Sequence, residues 1–216
     1  MKLIEQILEM PDAYLLVQKI QTLLHQEHQK RQHFYEIIDE NQKMEFVNGE
    51  IIYHSPVMKR HNEATNHLMR LLSAFVDKNN LGFVGIEKIL IALTRNDYEP
   101  DICYFNQAKA QNFKPEQARF PAPDWIVEVI SSSTEERDRG VKFQDYEAHE
   151  IQEYWLIDPD NQTVEQYYLK NQRYELLLKA KSGTIESQTL LGFEIPIQAI
   201  FDKDLNLQVL NHLLSK

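Results

Sequence analysis

The chain has 216 residues, 43% of them apolar, and 33 acidic against 23 basic side chains give a formal net charge of -10. That length suits one domain with a modest appendage, and the negative balance excludes a protein that coats nucleic acid or an anionic membrane through overall charge, though not one with a local basic cleft. Cys103 is the only cysteine, which excludes an internal disulfide, a cysteine-rich zinc site and a CxxC redox pair.

No apolar run approaches the ~18 residues of a membrane span. The start, MKLIEQILEMPDAYLL, mixes acids into its apolar positions and lacks a signal-peptide core, so cytoplasmic residence without membrane contact is the expectation. Ile4, Ile7 and Leu8 begin a helical spacing that Pro11 interrupts, and Leu16, Ile20, Leu23 and Leu24 restart it before HQEHQKRQH dissolves into a polar tail. Residues 1–32 therefore read as one or two short amphipathic helices packing on the main domain, 33–216, or on a second subunit.

MEFV, Asn48-Gly49 and EIIYHS then form two strand-like runs around a dipeptide suited to a type I′ turn, because both turn residues must adopt positive φ. After Ser55-Pro56 the period returns to helical. Ala64, Leu68, Leu71, Leu72, Phe75 and Val76 share a stripe, with Glu63, His67 and Arg70 to one side and Glu63 at its border. FVGI, KILIAL and DICYF read as strands, the middle one apolar enough to be central in a sheet. A loop with room for one helical turn leads to WIVEVIS. Ser131 to Thr134 followed by Glu135 and Glu136 reads as a helix start, with hydroxyls available to cap free amides. YWLID, VEQYY and RYELLL are three further strands, and the apolar C-terminal segment gives a helix or an edge. Helices among the middle strands and a meander afterwards indicate α/β or α+β with a mixed sheet.

Two acids interrupt these apolar strands. Asp101 opens DICYF and Glu128 sits in WIVEVIS with Val127 and Val129 pointing the other way. If the two strands are neighbours, the carboxylates converge, and they repel unless a proton or a cation lies between them. A hard divalent ion is the economical answer, since one or two carboxylates plus water and phosphate oxygens commonly hold it. Lys142, in the following helix, could return to the same point and favour negative charge on oxygens in transfer. Blander readings stand beside these: Asp101 as a loop-edge cap, Glu128 in an ion pair with Arg137 or Arg139, Lys142 as a solvated helix residue. Tyr98, Tyr146, Tyr154 and Trp155 read as packing residues, and Lys59, Arg60, Arg70, Arg137 and Arg139 as ordinary charged surface or phosphate contacts. His61 and His67 are six apart and do not share a helix face.

The run PDICYF, PAPDWIVEVISSST, DRGVKFQDY and EYWLIDP resembles the Uma2 family, also called DUF820, of the PD-(D/E)XK or restriction-endonuclease-like superfamily. Agreement extends from about Phe46 to Phe201, and its specific part is Pro123 to Pro159. The resemblance implies a mixed central sheet flanked by helices and a Mg²⁺- or Mn²⁺-dependent endonuclease that hydrolyses phosphodiester bonds of nucleic acid, DNA before RNA, with a homodimer as assembly; the N-terminal helical extension, residues 1–32, is less recognisable as family sequence. It implies Asp101, Glu128 and Glu63 as metal ligands, Lys142 as a catalytic group, and Asp138 and His61 in support. The superfamily lysine stands two residues after the acid, where this chain has Ile130, and in this family it is thought to have moved to the place of Lys142. The family's glycine turn before the EYW strand is Ala148-His149-Glu150-Ile151 here, so His149 is expected to form it. The alternative is a catalytically inactive module of the same fold that binds nucleic acid or protein.

Overall fold

The computed structural model describes residues 2–39 and 41–215. Its chain forms two compact units, Met1–His54 with Thr94–Asp97, and Ser55–Leu93 with Tyr98–Lys216.

In the first unit α1 (Lys2–Leu8) ends before Pro11, and α2 (Ala13–Ile37) then runs for 25 residues. The second helix is longer than its sequence suggests. HQEHQKRQH, read above as a polar tail, is helical throughout, because Gln, Lys, Arg and Glu are good helix formers and the last turns are anchored. Phe34 is buried against Phe46, ring centroids 5.7 Å apart. Arg31 donates to both oxygens of buried Asp97, at 2.6 and 2.8 Å, and the Tyr35 hydroxyl adds a third bond at 2.8 Å. Strands β1 (Met44–Val47) and β2 (Glu50–Tyr53) pair antiparallel with Val47 opposite Glu50. Asn48 and Gly49 between them have φ of 52° and 85°, the positive pair that the tight hairpin turn requires.

The second unit is built on α3 (Lys59–Asn79), which buries Ala64, Leu68, Leu71, Leu72 and Val76 as their spacing indicates. Strands β3 (Gly82–Ile86), β4 (Leu90–Ala92), β5 (Asp97–Tyr98, its first residue counted with the first unit), β6 (Ile102–Asn106), β7 (Arg119–Phe120) and β8 (Trp125–Val129) follow, with a short α4 (Gln107–Ala110) in the long loop. Helices α5 (Glu135–Arg139) and α6 (Val141–Ala148) lead to β9 (Glu153–Asp158), β10 (Thr163–Lys170) and β11 (Arg173–Ala180). The chain ends in the small hairpin β12 (Thr184–Glu186) and β13 (Glu194–Pro196), a 3-10 turn at Ile197–Ile200, and α7 (Lys203–Ser215).

Six strands form the main sheet in the order β11-β10-β9-β8-β6-β3. It is mixed: β8 and β9 run parallel and the other described pairs antiparallel. A parallel pair needs a crossover, and α5 with α6 supplies it. Ile102, Tyr104, Trp125, Val127, Val129, Trp155 and Ile157 join one core cluster with α3 and the C-terminal residues. Alternation along the strands therefore sends Asp101, Cys103 and Glu128 to the opposite face.

KILIAL is central in a sheet as its apolar run indicates: β4 lies between β5 and β7, parallel to β7, outside the six-stranded sheet. Two local expectations are corrected. Thr134 does not cap α5 through its hydroxyl, which instead accepts from the Ser131 amide at 3.1 Å. The left-handed residue before β9 is Glu150, φ 57°, whereas His149 keeps a negative φ of -95° as the last cap of α6. Among the described residues no helix is long and apolar enough to cross a membrane.

Candidate active site

Ile102 pairs with Val127 in the antiparallel register of β6 and β8. One further step of that register sets Asp101 opposite Glu128, and directly opposite residues of a pair share a face. The neighbourhood that the sequence left conditional is thus present. Asp101 is fixed at both ends: its Oδ2 accepts from the Val129 amide at 2.8 Å and its carbonyl from the Glu87 amide at 3.0 Å. Both carboxylates are buried, at 4% and 3% exposure.

Lys142 reaches this point from α6. Its Nζ donates to Glu128 Oε1 at 2.9 Å and lies 3.5 Å from Asp138 Oδ1. The Tyr146 hydroxyl donates to the same Glu128 Oε1 at 2.9 Å. Asp138, Lys142 and Tyr146 recur every four residues, so they line one side of α5 and α6 despite the interruption at Gly140. The Lys142 ammonium also stands 5.7 Å from the centre of the Tyr98 ring, and the Tyr98 hydroxyl donates to Asp145 at 2.9 Å. At the other side His61 Nε2 lies 3.4 Å from Asp101 Oδ1, while its buried Nδ1 has no hydrogen-bond partner.

Burial of these groups sets the electrostatics. The acids Asp101, Glu128 and Asp138 gather around Lys142 and His61, and buried carboxylates so close together favour a positive charge beside them. Burial, reinforced by the charges of Asp138 and Glu128, holds the Tyr154 phenol well above its ordinary range. The Tyr154 hydroxyl donates to the Asp138 carbonyl at 3.0 Å. Burial and then the Glu128 charge push the Cys103 thiol up, so that side chain is a protonated packing residue and not a nucleophile.

The structure therefore brings together Asp101, Glu128, Lys142, Asp138 and His61. Glu63 stands apart. It is half exposed and ion-paired with Lys59, because it lies 200° around the helix from buried His61 and cannot share its face. The ion pair of Glu128 with Arg137 or Arg139 is not formed either: Arg139 is engaged by Glu165 and Glu135. Tyr146 is a member that its sequence reading as a packing residue missed, although its four-residue offset from Lys142 was visible. Of the surface bases, Lys59 pairs with Glu63, Arg60 with Asp160, and Arg70 donates to Asn206 at 2.9 Å.

Among the described residues no group of three or more His, Cys, Asp or Glu is placed to hold a metal ion. Asp101 and Glu128 supply two hard oxygen donors side by side. That set does not make a closed protein cage, and it fits the manner in which a magnesium-like ion is held, by one or two carboxylates with water and phosphate oxygens completing the shell.

Comparison with known proteins agrees with this architecture. An uncharacterized Synechocystis protein, sll1609, is 33% identical over 148 residues, which cover 67% of this chain and 82% of that protein. A second uncharacterized Synechocystis protein, slr1290, is 26% identical over 168 residues, 75% of this chain and 85% of its own length. The crystal structure of a putative nuclease belonging to DUF820 from Anabaena variabilis superposes with a TM-score of 0.67 over 78% of this chain and 94% of that one; at 20% identity it shows a shared fold. The family model described as "Uma2: Putative restriction endonuclease" matches residues 31–198, and the chain belongs to the Uma2 family.

Proposed function

We propose that the chain is a metal-dependent endonuclease that hydrolyses phosphodiester bonds of DNA. The observation that carries the reading is that Asp101 and Glu128 stand opposite one another in the buried strand pair, with Lys142 donating to Glu128. The family description as a restriction endonuclease and the DUF820 nuclease of the same fold point to nucleic acid as the substrate class.

In this reading Asp101 and Glu128 hold a Mg²⁺ or Mn²⁺ ion. Once bound, the ion polarises the phosphoryl oxygen and makes water a better nucleophile. Lys142 sets its ammonium against the negative charge that builds on the phosphoryl oxygens during attack. Asp138 and Tyr146 are positioning residues, Asp138 for the lysine and Tyr146 for the Glu128 carboxylate that the lysine contacts. His61 steadies Asp101. The new bond joins the water oxygen to phosphorus, the bond to the leaving sugar oxygen breaks, and the proton that the water gives up is balanced by the one that the leaving oxygen takes up, with no covalent enzyme intermediate. No role is assigned to Glu63.

The test is cleavage of supercoiled, linear, single-stranded and branched DNA and of RNA, with Mg²⁺, Mn²⁺ or EDTA, by the wild-type chain and by Glu128→Ala and Lys142→Met prepared identically. Metal-dependent cutting that falls at least ~100-fold in both variants is expected, the scale on which loss of one charge-stabilising group acts. Cutting retained in Glu128→Ala would contradict the reading. No cutting by the wild type, with no metal bound, would favour the inactive module.

A further inference from the structure

One base at the edge of the candidate centre has no task in the proposed chemistry. On α3 and α5, Lys59, Arg60, Arg70 and Arg139 are engaged by Glu63, Asp160, Asn206 and Glu165. Arg137 has no such partner among the described residues. It is half-buried, and its Nε is shut off from solvent without a hydrogen-bond acceptor. Among the described residues of the second unit, His61 is the other basic side chain with buried nitrogens in this condition, and it stands beside Asp101. Structural bases here look different: Lys78 donates to the carbonyls of Leu213 and Leu214, and Arg139 to both oxygens of Glu165. A buried donor left unmet costs free energy that an incoming acceptor recovers.

Helix geometry gives the side on which Arg137 lies. Consecutive helical residues are about 100° apart, so Arg137 and Arg139 flank Asp138 on opposite sides of α5. Asp138 is buried, with Oδ1 3.5 Å from the Lys142 ammonium. Arg139, on one flank, reaches Glu165 on β10. In the strand order β10-β9-β8-β6 the other flank leans toward β6, the strand that Asp101 precedes. We propose that Arg137 holds a phosphate of the bound nucleic-acid strand, next to the phosphate under attack, and so lays the strand across Asp101 and Glu128. This rests on the nucleic-acid reading of the site. A guanidinium is always charged, and its planar fork matches two phosphate oxygens at once. Five residues part Arg137 from Lys142, ~7.5 Å of helix rise, which is more than one charged hydrogen bond of about 2.8 Å spans, so the two bases serve different phosphates.

Binding is read apart from cleavage. Fluorescence anisotropy of labelled single-stranded and duplex oligonucleotides is followed in EDTA over about 50–200 mM salt, for the full chain, Arg137→Met, Arg137→Lys and, as a charge-matched control, Lys181→Met at an exposed position. Arg137→Met is expected to bind at least about tenfold more weakly, the scale of one charge-assisted contact, and to reduce the salt slope by ~0.9 on duplex or ~0.7 on single strands. Arg137→Lys keeps the slope and loses part of the affinity, because a point charge replaces the fork. Lys181→Met changes neither. The thermal midpoint of Arg137→Met is expected no lower than that of the wild type, since no protein contact is lost. In cleavage the defect falls on KM, with kcat held within about twofold. Arg137→Met that binds with the affinity and slope of the wild type or of Lys181→Met would overturn the proposal, as would a wild type that binds neither oligonucleotide. A fall in kcat with KM unchanged would set the guanidinium on the reacting phosphate and overturn it too. A wild type that binds through Arg137 and cuts nothing would keep this contact and remove the nuclease reading.

Discussion

Two glutamates on neighbouring parallel strands show what separates a structural acid from a site. Glu153 on β9 is fully buried, and its carboxylate accepts five hydrogen bonds, from Trp155, Gln166, Ser187 and the amides of Gln188 and Thr189, at 2.7 to 3.0 Å. Every donor is neutral and both oxygens are in use. Glu128 on β8 is almost equally buried, yet it accepts from a charged group, the Lys142 ammonium, which also faces Asp138, and a second acid, Asp101, stands across the strand pair. The first arrangement is complete, and it ties the loop at 187–189 to the sheet. The second gathers charged groups, with Glu128 and Asp138 both turned toward Lys142. Burial of an acid is thus not the mark of chemistry; the nature and number of its partners is.

Breaking the complete arrangement carries the largest expected cost. Glu153→Ala strands five donors, and a fall in unfolding free energy of about 3–5 kcal/mol is expected from urea titration, at the upper end for single substitutions. Lys142→Met is next, at about 3 kcal/mol, because removing one partner leaves buried acids uncompensated. The comparison predicts a difference in rescue. Adding Glu128→Gln to Lys142→Met should restore at least half of the loss, whereas no single neighbour can rescue Glu153→Ala; a double-mutant cycle measures this. Gly49→Ala places a side chain at φ 85° and is expected to cost about 1 kcal/mol, read from the thermal midpoint.

The smallest effect is a pH dependence. Hydrogen bonding from Arg139 draws the Glu165 carboxyl down to about 2 from the ordinary 4.5. A lowered carboxyl contributes stability above its unfolded value and loses it as pH falls toward the folded one. The acid limb between about pH 4.5 and 2 should therefore flatten in Glu165→Gln, by on the order of 1 kcal/mol for a pair that solvent partly screens. An unchanged limb would show that the ion pair contributes nothing measurable.

Much of this was legible because it is local. The Asn48-Gly49 turn, the α3 stripe and the isolated acids in DICYF and WIVEVIS announce themselves within a few residues, and a fourteen-residue offset placed Lys142 in the right helix. Glu153 was passed over since EYWLID looks like an ordinary strand, and its donors at 166 and 187–189 come from elements that no local pattern connects to it. Asp97 was invisible for the same reason, its partners being Arg31 and Tyr35. Glu63 was legible only as a border position, because a helical wheel leaves its side undecided until the helix is packed, and there it pairs with Lys59.

Metal binding compared between the two glutamates tests the central claim most directly. Calorimetric titration of Mn²⁺ into the wild-type chain, Glu128→Gln and Glu153→Gln, each checked for a folded near-ultraviolet spectrum, separates an acid that needs more positive charge from one that is already satisfied. The account predicts binding by the wild type and by Glu153→Gln, and its loss or at least tenfold weakening in Glu128→Gln. Equal binding by all three chains, or none by the wild type, would contradict it.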